Sequence, residues 1–400
     1  MARYTLLNLS DIHIGAISSE QLGEEFNNFL FPMIREKRPN AVFVNGDIFH
    51  FNLKLDSDHS ILAHSFFSSL CNLCKSLDIK LRIIKGTLSH DYCQLNNFKA
   101  MEVEYGNLKI ISSCEVEELF EDFHVLFMPE EYPTDYDNFY KDFFVFTDTE
   151  TKEEFDVSYN MIVGHGEIDV AASWSKGNKG EKHYGGTPVH KYKFLEEHCA
   201  GPIVFGHIHK PFRHKKLIYP GSFSRFCHGE EDPKQMVLVS IDSVTSEFNI
   251  EPIENTLCSL YKTYNIYDLF DKTIAKTQLD IIEGIKDSLD EKFSSTPRMF
   301  RIRVDLSLDS HNKIPIETII LLKSTLVNRY GKRISFKESK GAIVNESGEE
   351  IEDGKSIIEE KYSYLRDNKL SNEAKLQIYI KETNGIDISL EQIVEATAVL

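Results

Sequence analysis

Residues 4–15 read YTLLNLSDIHIG and residues 40–50 read NAVFVNGDIFH, and these two stretches decide the fold. Each is an apolar run that stops abruptly in a polar turn carrying an aspartate. A short, continuously apolar run is the pattern of a strand buried on both faces. Six further runs repeat the design: IKLRIIKGTLSHD (79–91), FHVLFMPE (123–130), YNMIVGHGE (159–167), GPIVFGHIH (201–209), KLIYPGS (216–222) and MVLVSID (236–242). Between the early runs, residues 21–37 and 61–77 carry apolar residues at helical spacing. This alternation predicts an α/β fold, with helices covering sheet on both sides, up to about residue 250.

The chain has 400 residues, 41% hydrophobic and 11% aromatic, enough for one large domain and a smaller one. Beyond residue 250 the texture changes. Residues 262–293 and 315–329 read as helices, whereas RMFRIRVDLSL (298–308) and RISFKES (333–339) read as strands, so residues 251–354 are expected to form a small α+β domain. Residues 355–400 read as a charged helical tail. In SIIEEKYSYL (356–365) and ISLEQIVEATAVL (388–400) the apolar residues fall three and four apart, the pattern of helices that bury one face against a partner or their own domain.

The opening MARYTLLNLSDIHIG lacks the basic, long apolar and small-residue segments of a leader, and no segment approaches eighteen uncharged apolar residues, so a cytoplasmic chain outside the membrane is expected. Seven scattered cysteines fit reduced thiols. Cys71 and Cys74 form a C-x-x-C, yet they lie in a helically spaced stretch and read as core. The net charge of −18 argues against a polyanionic partner, but it is unevenly spread. Residues 101–150 hold fourteen acids against two bases, whereas residues 176–216 hold nine Lys or Arg against three Glu. That second stretch is either a local basic surface or a solvated loop.

The residues that carry chemistry sit at the ends of the apolar runs. Asp11 and His13 follow the first, Asp47 the second, His90 and Asp91 the third, His165 a later one, and His207 with His209 another. Carboxyl ends of strands are where α/β sheets present ligand sites, so five strand ends are expected to converge on one rim. Several carry glycine (Gly46, Gly86, Gly164, Gly206) that brings backbone close. Two divalent cations about 3.5–4 Å apart call for mixed carboxylate and imidazole ligands with one shared anionic oxygen, and Asp47 is the natural bridge. Such a pair suits phosphoester hydrolysis.

SDIHIG, NGDIFH, HD after a glycine, GHG, GHIH and YPGSFSR come in the order and approximate spacing of the calcineurin-like metallophosphoesterases. With GDIFH, the last of these resembles the Mre11/SbcD DNA-repair nucleases, over about residues 1–250. The resemblance implies a two-sheet sandwich flanked by helices, then a capping domain and a helical tail that docks on a Rad50/SbcC-type SMC-like ATPase. It implies two Mn2+ ions, with Mg2+ as substitute: Asp11, His13, Asp47 and His209 on one, Asp47, His165 and His207 on the other. His90 would stand over the scissile phosphate, oriented by Asp91, and His50 would lie near the substrate. Separately, Lys210 and Arg213 of the basic stretch lie close in sequence to His207 and His209, and are expected to contact the phosphate backbone. The family's Gly-Asn-His-Asp or Glu is here GTLSHD, two residues longer, with Ser89 before His90 where the amide ligand stands. Ser89, or Thr87, is expected to take that place, and such loops resemble phage-encoded relatives. No G-x-x-x-x-G-K-[ST] loop occurs, so ATP-driven work falls to the separate subunit.

The expected function is a manganese-dependent DNA exonuclease and endonuclease of repair and recombination, acting as a homodimer. The alternatives are a metallophosphatase or phosphodiesterase on other substrates, and a non-catalytic module that binds DNA or the ATPase.

Overall fold

The computed structural model describes residues 2–133, 136–147, 153–171, 189–271, 277–295, 300–306 and 316–337, with residues 275, 314, 343–344, 350–351, 374, 377 and 389. They fall into two compact units, residues 1–262 with 296–301, and residues 263–295 with 302–400. The expected tail therefore lies almost wholly outside the described residues, as do Lys176, Lys179 and Lys182 of the basic stretch.

The first unit is built on two six-stranded sheets. One runs Phe248–Glu254 (β16), Gln235–Asp242 (β15), Arg3–Leu9 (β1), Ala41–Asn45 (β2), Lys80–Ile84 (β3) and Leu108–Ile111 (β4). β1 to β4 are mutually parallel, and β15 and β16 close the far edge antiparallel. The other runs Phe212–His214 (β13), Leu217–Tyr219 (β14), Ile203–Gly206 (β12), Met161–His165 (β9), Phe123–Met128 (β6) and Glu115–Phe120 (β5). Its central strands β14, β12, β9 and β6 are parallel. Two short ribbons add Val145–Thr147 (β7) to Glu154–Asp156 (β8), and Glu167–Ile168 (β10) to Val189–His190 (β11). β16 carries the first sheet to Glu254, past the residue 250 at which the sequence changes texture.

The two-residue period of each strand splits its side chains between two cores. Leu6, Ala41, Phe43, Met161, Val163 and Val204 pack together in one cluster, whereas their neighbours Leu7, Val42 and Val44 join a second and Ile162, Ile203 and Phe205 a third. The shared cluster lies between the sheets, and the others lie on their outer faces. The outer face of the first sheet is covered by the helix Asp58–Ser76, through Phe66, Phe67, Leu70 and Cys71, and by residues 19–37. The fold is thus helices, sheet, sheet, helices, which explains why the inner strands tolerate no polar alternation. Truncating a residue such as Phe43, fully buried in the shared core, costs about 3–5 kcal/mol.

Residues 21–37 are helical as expected, but with a π turn over Phe26–Leu30 between Ser19–Glu25 and Phe31–Lys37. Pro32 has no N–H for the regular i−4 bond, and the Phe31 N–H instead reaches Phe26 O. Cys71 and Cys74 are free, buried thiols, both pushed by burial up to about 12.

The second unit holds residues 263–265 of the strand Leu260–Asn265 (β17), residues 302–305 of Phe300–Asp305 (β18) and all of Ile334–Lys337 (β19), in the sheet order β17-β18-β19. Helices Gln278–Ser295 and Ile316–Tyr330 are joined by the Arg329 guanidinium on both carboxylate oxygens of Asp290, at 2.9 and 2.6 Å. A two-residue ribbon pairs Ile343–Val344 (β20) with Glu350–Ile351 (β21). Here the reading of 262–293 as one helix is corrected. LYKTYN is a strand whose one buried residue is Tyr261, and Asn265 caps a short 3-10 turn by accepting from the Tyr267 N–H, so the helix starts only at Gln278. Aromatic and β-branched residues favour a pleated surface over a helix.

Among the described residues no helix is long and apolar enough to cross a membrane.

Candidate metal centre

The first sheet contributes mainly the carboxylates and the second mainly the histidines. Asp11 and His13 follow β1, Asp47 follows β2, and Gly86–Asp91 follow β3. His165 ends β9, His207 and His209 follow β12, and Glu130 lies two residues past β6. These ends face one another because the sheets stack with their parallel strands ending at the same edge.

Backbone bonds lace the edge together. The Asp11 N–H donates to Gly46 O at 3.1 Å, the His13 N–H to Asp47 O at 3.0 Å, and the Ile14 N–H to Ile48 O at 2.7 Å. Across the sheets, His165 Nδ1 donates to Asn45 O at 2.7 Å, which turns Nε2 towards the site. The His207 N–H donates to both Asp11 carboxylate oxygens, at 3.0 and 3.2 Å. Asp11, His13, Asp47 and His207 all have positive φ, at 52°, 50°, 51° and 100°. Non-glycine residues held there cost about 1–3 kcal/mol each and concentrate at functional sites. Gly46 has φ +80°, and a Cβ on it would meet His165 Nδ1 at 2.2 Å, so only glycine lets that ring pack.

Two donor groups result. Asp11, His13 and His209 form one, and Asp47, His165 and His207 the other. In the first, His13 Nε2 and His209 Nε2 are 3.0 Å apart, and His209 Nε2 is 3.9 Å from Asp11 Oδ1. In the second, His165 Nε2 lies 3.3 Å from Asp47 Oδ2. The same Asp47 Oδ2 lies 3.9 Å from His13 Nε2, so one oxygen faces both groups. Asp47 Oδ1 is engaged by the Thr87 N–H at 2.6 Å, leaving Oδ2 to be shared.

Asp11, Asp47 and Glu130 are all buried, and none has a lysine or arginine partner among the described residues. His207 Nδ1 is likewise buried with no hydrogen-bond partner. Buried anions faced by histidines alone, beside an orphaned imidazole nitrogen, are the chemistry that divalent cations satisfy, so these residues fit two metal ions. Burial drives the Asp47 carboxyl up, but His165, by charge and hydrogen bond, and then His13 hold it well below its ordinary value. His165 is opposed by burial yet raised well above its own by Asp47. His13 is lowered by burial and by His209.

The loop after β3 corrects two expectations. Ser89 is exposed, whereas Thr87 Oγ1 sits 3.1 Å from Asp47 Oδ2, 3.2 Å from Glu130 Oε2 and 3.4 Å from His165 Nε2. The two extra residues carry Ser89 outward and leave Thr87 against the site. Asp91 does not orient His90. Its carboxylate accepts from the backbone N–H groups of Gly86 (2.7 Å), Ile48 (2.8 Å), Asp47 (3.1 Å) and Phe49 (3.2 Å), tying the third strand end to the second. Burial and the Asp47 charge push Asp91 up to about 7 against those donors. The His90 ring is oriented by the His50 carbonyl, which accepts from Nδ1 at 2.7 Å.

His90 and His50 stack with centroids 5.7 Å apart, and His50 Nδ1 is 3.4 Å from His13 Nδ1. His13, His50 and His90 thus form a third cluster on the open side of the first group. Lys210 faces Asp232 at 3.4 Å, and Arg213 is exposed on β13.

Sequence reasoning missed Glu130 and Glu230. Glu230 Oε1 accepts from His209 Nδ1 at 3.3 Å, and its other oxygen pairs with the buried Lys234 at 3.1 Å. Burial raises this carboxyl, but His209 and Lys234 prevail and hold it at about 2. The signal for Glu130 was present, since it follows an apolar run just as the ligand residues do. Of YPGSFSR, Ser222, Ser224 and Arg225 are buried structural residues. Arg225 donates to the carbonyls of Ser259 at 2.7 Å and Asp232 at 2.8 Å.

Among solved structures, the chain is similar to a predicted phosphoesterase from Streptococcus pneumoniae, at 18% identity over 64% of this chain and 91% of that one, with a TM-score of 0.26. It is also similar to a protein from Thermus thermophilus, at 8% identity over 63% and 99%, TM-score 0.35. A cold-active protein tyrosine phosphatase matches at 12% identity over 62% and 80%, TM-score 0.28. No curated protein matches the sequence. Residues 4–211, which contain every residue of both donor groups, match the calcineurin-like phosphoesterases, and the chain belongs to that family.

Proposed function

We propose that this chain is a two-metal phosphodiesterase acting on DNA, an exonuclease and endonuclease of the Mre11/SbcD kind that takes Mn2+, with Mg2+ as substitute. The observation that carries the phosphodiesterase reading is Asp47 Oδ2, a single buried oxygen facing His165 at 3.3 Å and His13 at 3.9 Å, with a donor group on either side. When bound, such an ion pair activates a water and neutralises charge on the phosphoryl oxygens.

The chain's own residues do the rest. His90 Nδ1–H is held by the His50 carbonyl, so Nε2 is the atom that gives a proton to the departing oxygen. The stacking of the exposed His50 on His90 supports a role for it beside the substrate. The resemblance of GDIFH and YPGSFSR to the Mre11/SbcD nucleases supports DNA as substrate, a Rad50/SbcC-type SMC-like ATPase and a homodimer.

A second reading, a phosphodiesterase or phosphatase on smaller esters, is favoured by the charge pattern. Lys193, Lys210 and Lys215 each face a carboxylate, Glu197 at 3.9 Å, Asp232 at 3.4 Å and Glu196 at 3.3 Å, in a chain of net charge −18. Cations so neutralised attract a phosphate backbone weakly. Nucleotide release from linear duplex DNA, with and without Mn2+, separates the two. Mn2+-dependent release supports the nuclease, whereas hydrolysis of bis(p-nitrophenyl) phosphate with intact DNA supports the second reading.

A further inference from the structure

We propose that Glu130, assisted by Thr87, is a ligand of the second metal ion and takes the place of the amide oxygen that this chain's GTLSHD loop lacks. The proposal rests on the two-metal reading and adds a residue outside the family's motifs. Glu130 lies in MPEEY, past the end of β6, and its side chain is 2% exposed.

Its two oxygens are in different situations. Oε1 accepts the hydroxyl of Tyr132. Oε2 faces the second donor group, 3.7 Å from His165 Nε2 and 3.6 Å from His207 Nδ1, the nitrogen that has no hydrogen-bond partner. Thr87 Oγ1 sits among them, 3.2 Å from Glu130 Oε2, 3.1 Å from Asp47 Oδ2 and 3.4 Å from His165 Nε2. Neighbouring donors bound to one ion at about 2.0–2.2 Å lie about 3–3.6 Å from one another; four of these five distances fall in that range and the fifth, Glu130 to His165 at 3.7 Å, lies just beyond it. A bystander carboxylate in a buried site needs a cation or several N–H donors. Glu130 has no lysine, arginine or N–H donor of the main chain among the described residues, only two hydroxyls and two imidazoles.

The loop explains why a substitute is required. Two additional residues carry Ser89 into solvent, so the position before His90 supplies no ligand. A carboxylate from the neighbouring strand end restores an oxygen, and an anionic one, beside Asp47. The Tyr132 hydroxyl fixes Oε1 and so aims Oε2.

The experiment is a calorimetric Mn2+ titration of the full chain, wild type beside Glu130→Ala, Glu130→Gln and Thr87→Val, each checked for native circular dichroism. The wild type is expected to bind two ions. Glu130→Ala should weaken one of the two phases by at least about tenfold to a hundredfold, since even supporting residues outside the first shell matter by that much, and leave the other phase in place. Glu130→Gln keeps an oxygen and should lose less, and Thr87→Val should weaken the same phase by a smaller factor. Two unchanged phases in Glu130→Ala would overturn the proposal. So would equal losses in Ala and Gln, because Glu130 would then act through charge alone. If Glu130→Ala does not fold, the near-isosteric Gln and Val variants decide, and an unchanged phase in both overturns the proposal. A wild type that binds one ion or none would instead break the two-metal reading on which it rests.

Discussion

The two donor groups share Asp47 and differ in how they are supported. In the first, Asp11 is held by the His207 backbone N–H at 3.0 Å, and His209 is held by a buried carboxylate, Glu230, itself paired with Lys234. Its open side is lined by His50 and His90. The second is buried to a similar degree and is held differently. His165 is fully buried and held by a main-chain carbonyl, and the remaining partners, Thr87 and Glu130, come from a lengthened loop and a strand end without a motif. An outer carboxylate raises the basicity of the imidazole it holds, whereas a carbonyl chiefly fixes its orientation. The first group is therefore tuned from behind, and the second depends on the donors that reach into it.

The strongest blow to this comparison is Asp47→Ala, which removes the oxygen that both groups face. Both Mn2+ phases are expected to vanish, and phosphodiester hydrolysis to fall on the order of 10⁴-fold or more, as several kcal/mol from each ion are lost. Metal stoichiometry by calorimetry, with hydrolysis of bis(p-nitrophenyl) phosphate, checks it. A variant that keeps one tight ion would show that the groups do not share this residue.

His90→Ala probes the open side of the first group. Turnover should drop by about 10²–10⁴-fold while both ions stay bound, because His90 Nδ1 is spent on the His50 carbonyl and Nε2 serves as proton donor. Loss of an ion in this variant would make His90 a ligand and erase the distinction between rim and shell.

A finer cut is Glu230→Gln. The neutral amide no longer raises the basicity of His209, so the first Mn2+ phase should weaken roughly tenfold to a hundredfold and the second remain. Paired with the Glu130 variants, it assigns each calorimetric phase to one group. A shift of the second phase alone would reverse the assignment.

The smallest effect tests whether either group is sensitive to sheet stability as such. Arg82 of β3 and Glu117 of β5 pair across the two sheets, with side chains 10% and 15% exposed. Burial raises the Glu117 carboxyl, and Arg82 overcomes it, so its value is lowered in the fold. A lowered carboxyl contributes stability above its unfolded value of about 4.3, and that contribution is lost as pH falls through the folded value. Urea unfolding of chelator-treated Glu117→Gln should therefore show a loss of about 2 kcal/mol at pH 7 that shrinks as pH falls through the folded value. Both Mn2+ affinities should be unchanged at pH 7, and a change would mean that the seam and the metal edge are coupled.

Much of this molecule is legible in its sequence. The apolar runs determine the strands, because a segment with no polar alternation is stable only when buried on both faces, and the runs at 4–9 and 41–45 are the strands β1 and β2. The polar residues that interrupt each run determine the candidate ligands, because the chain can leave a buried sheet only through a turn at its edge. Asp11, His13, Asp47, His165, His207 and His209 all come together as that rule demands.

Tertiary structure decided what local spacing cannot encode. Asp91 follows His90 in sequence, yet the turn sends its carboxylate to four backbone N–H groups and leaves the ring to a carbonyl forty residues away. Thr87 faces the donors and Ser89 faces solvent because the loop is anchored at Gly86 and Asp91, which sets the direction of each side chain between them. Glu130 stands beside His165 and His207 only because β6 and β9 are hydrogen-bonded neighbours in the second sheet, with β12 next to β9. Strand order and the stacking of two sheets are long-range properties, so the sequence determined which residues lie at the edge, and packing decided which of them share an ion.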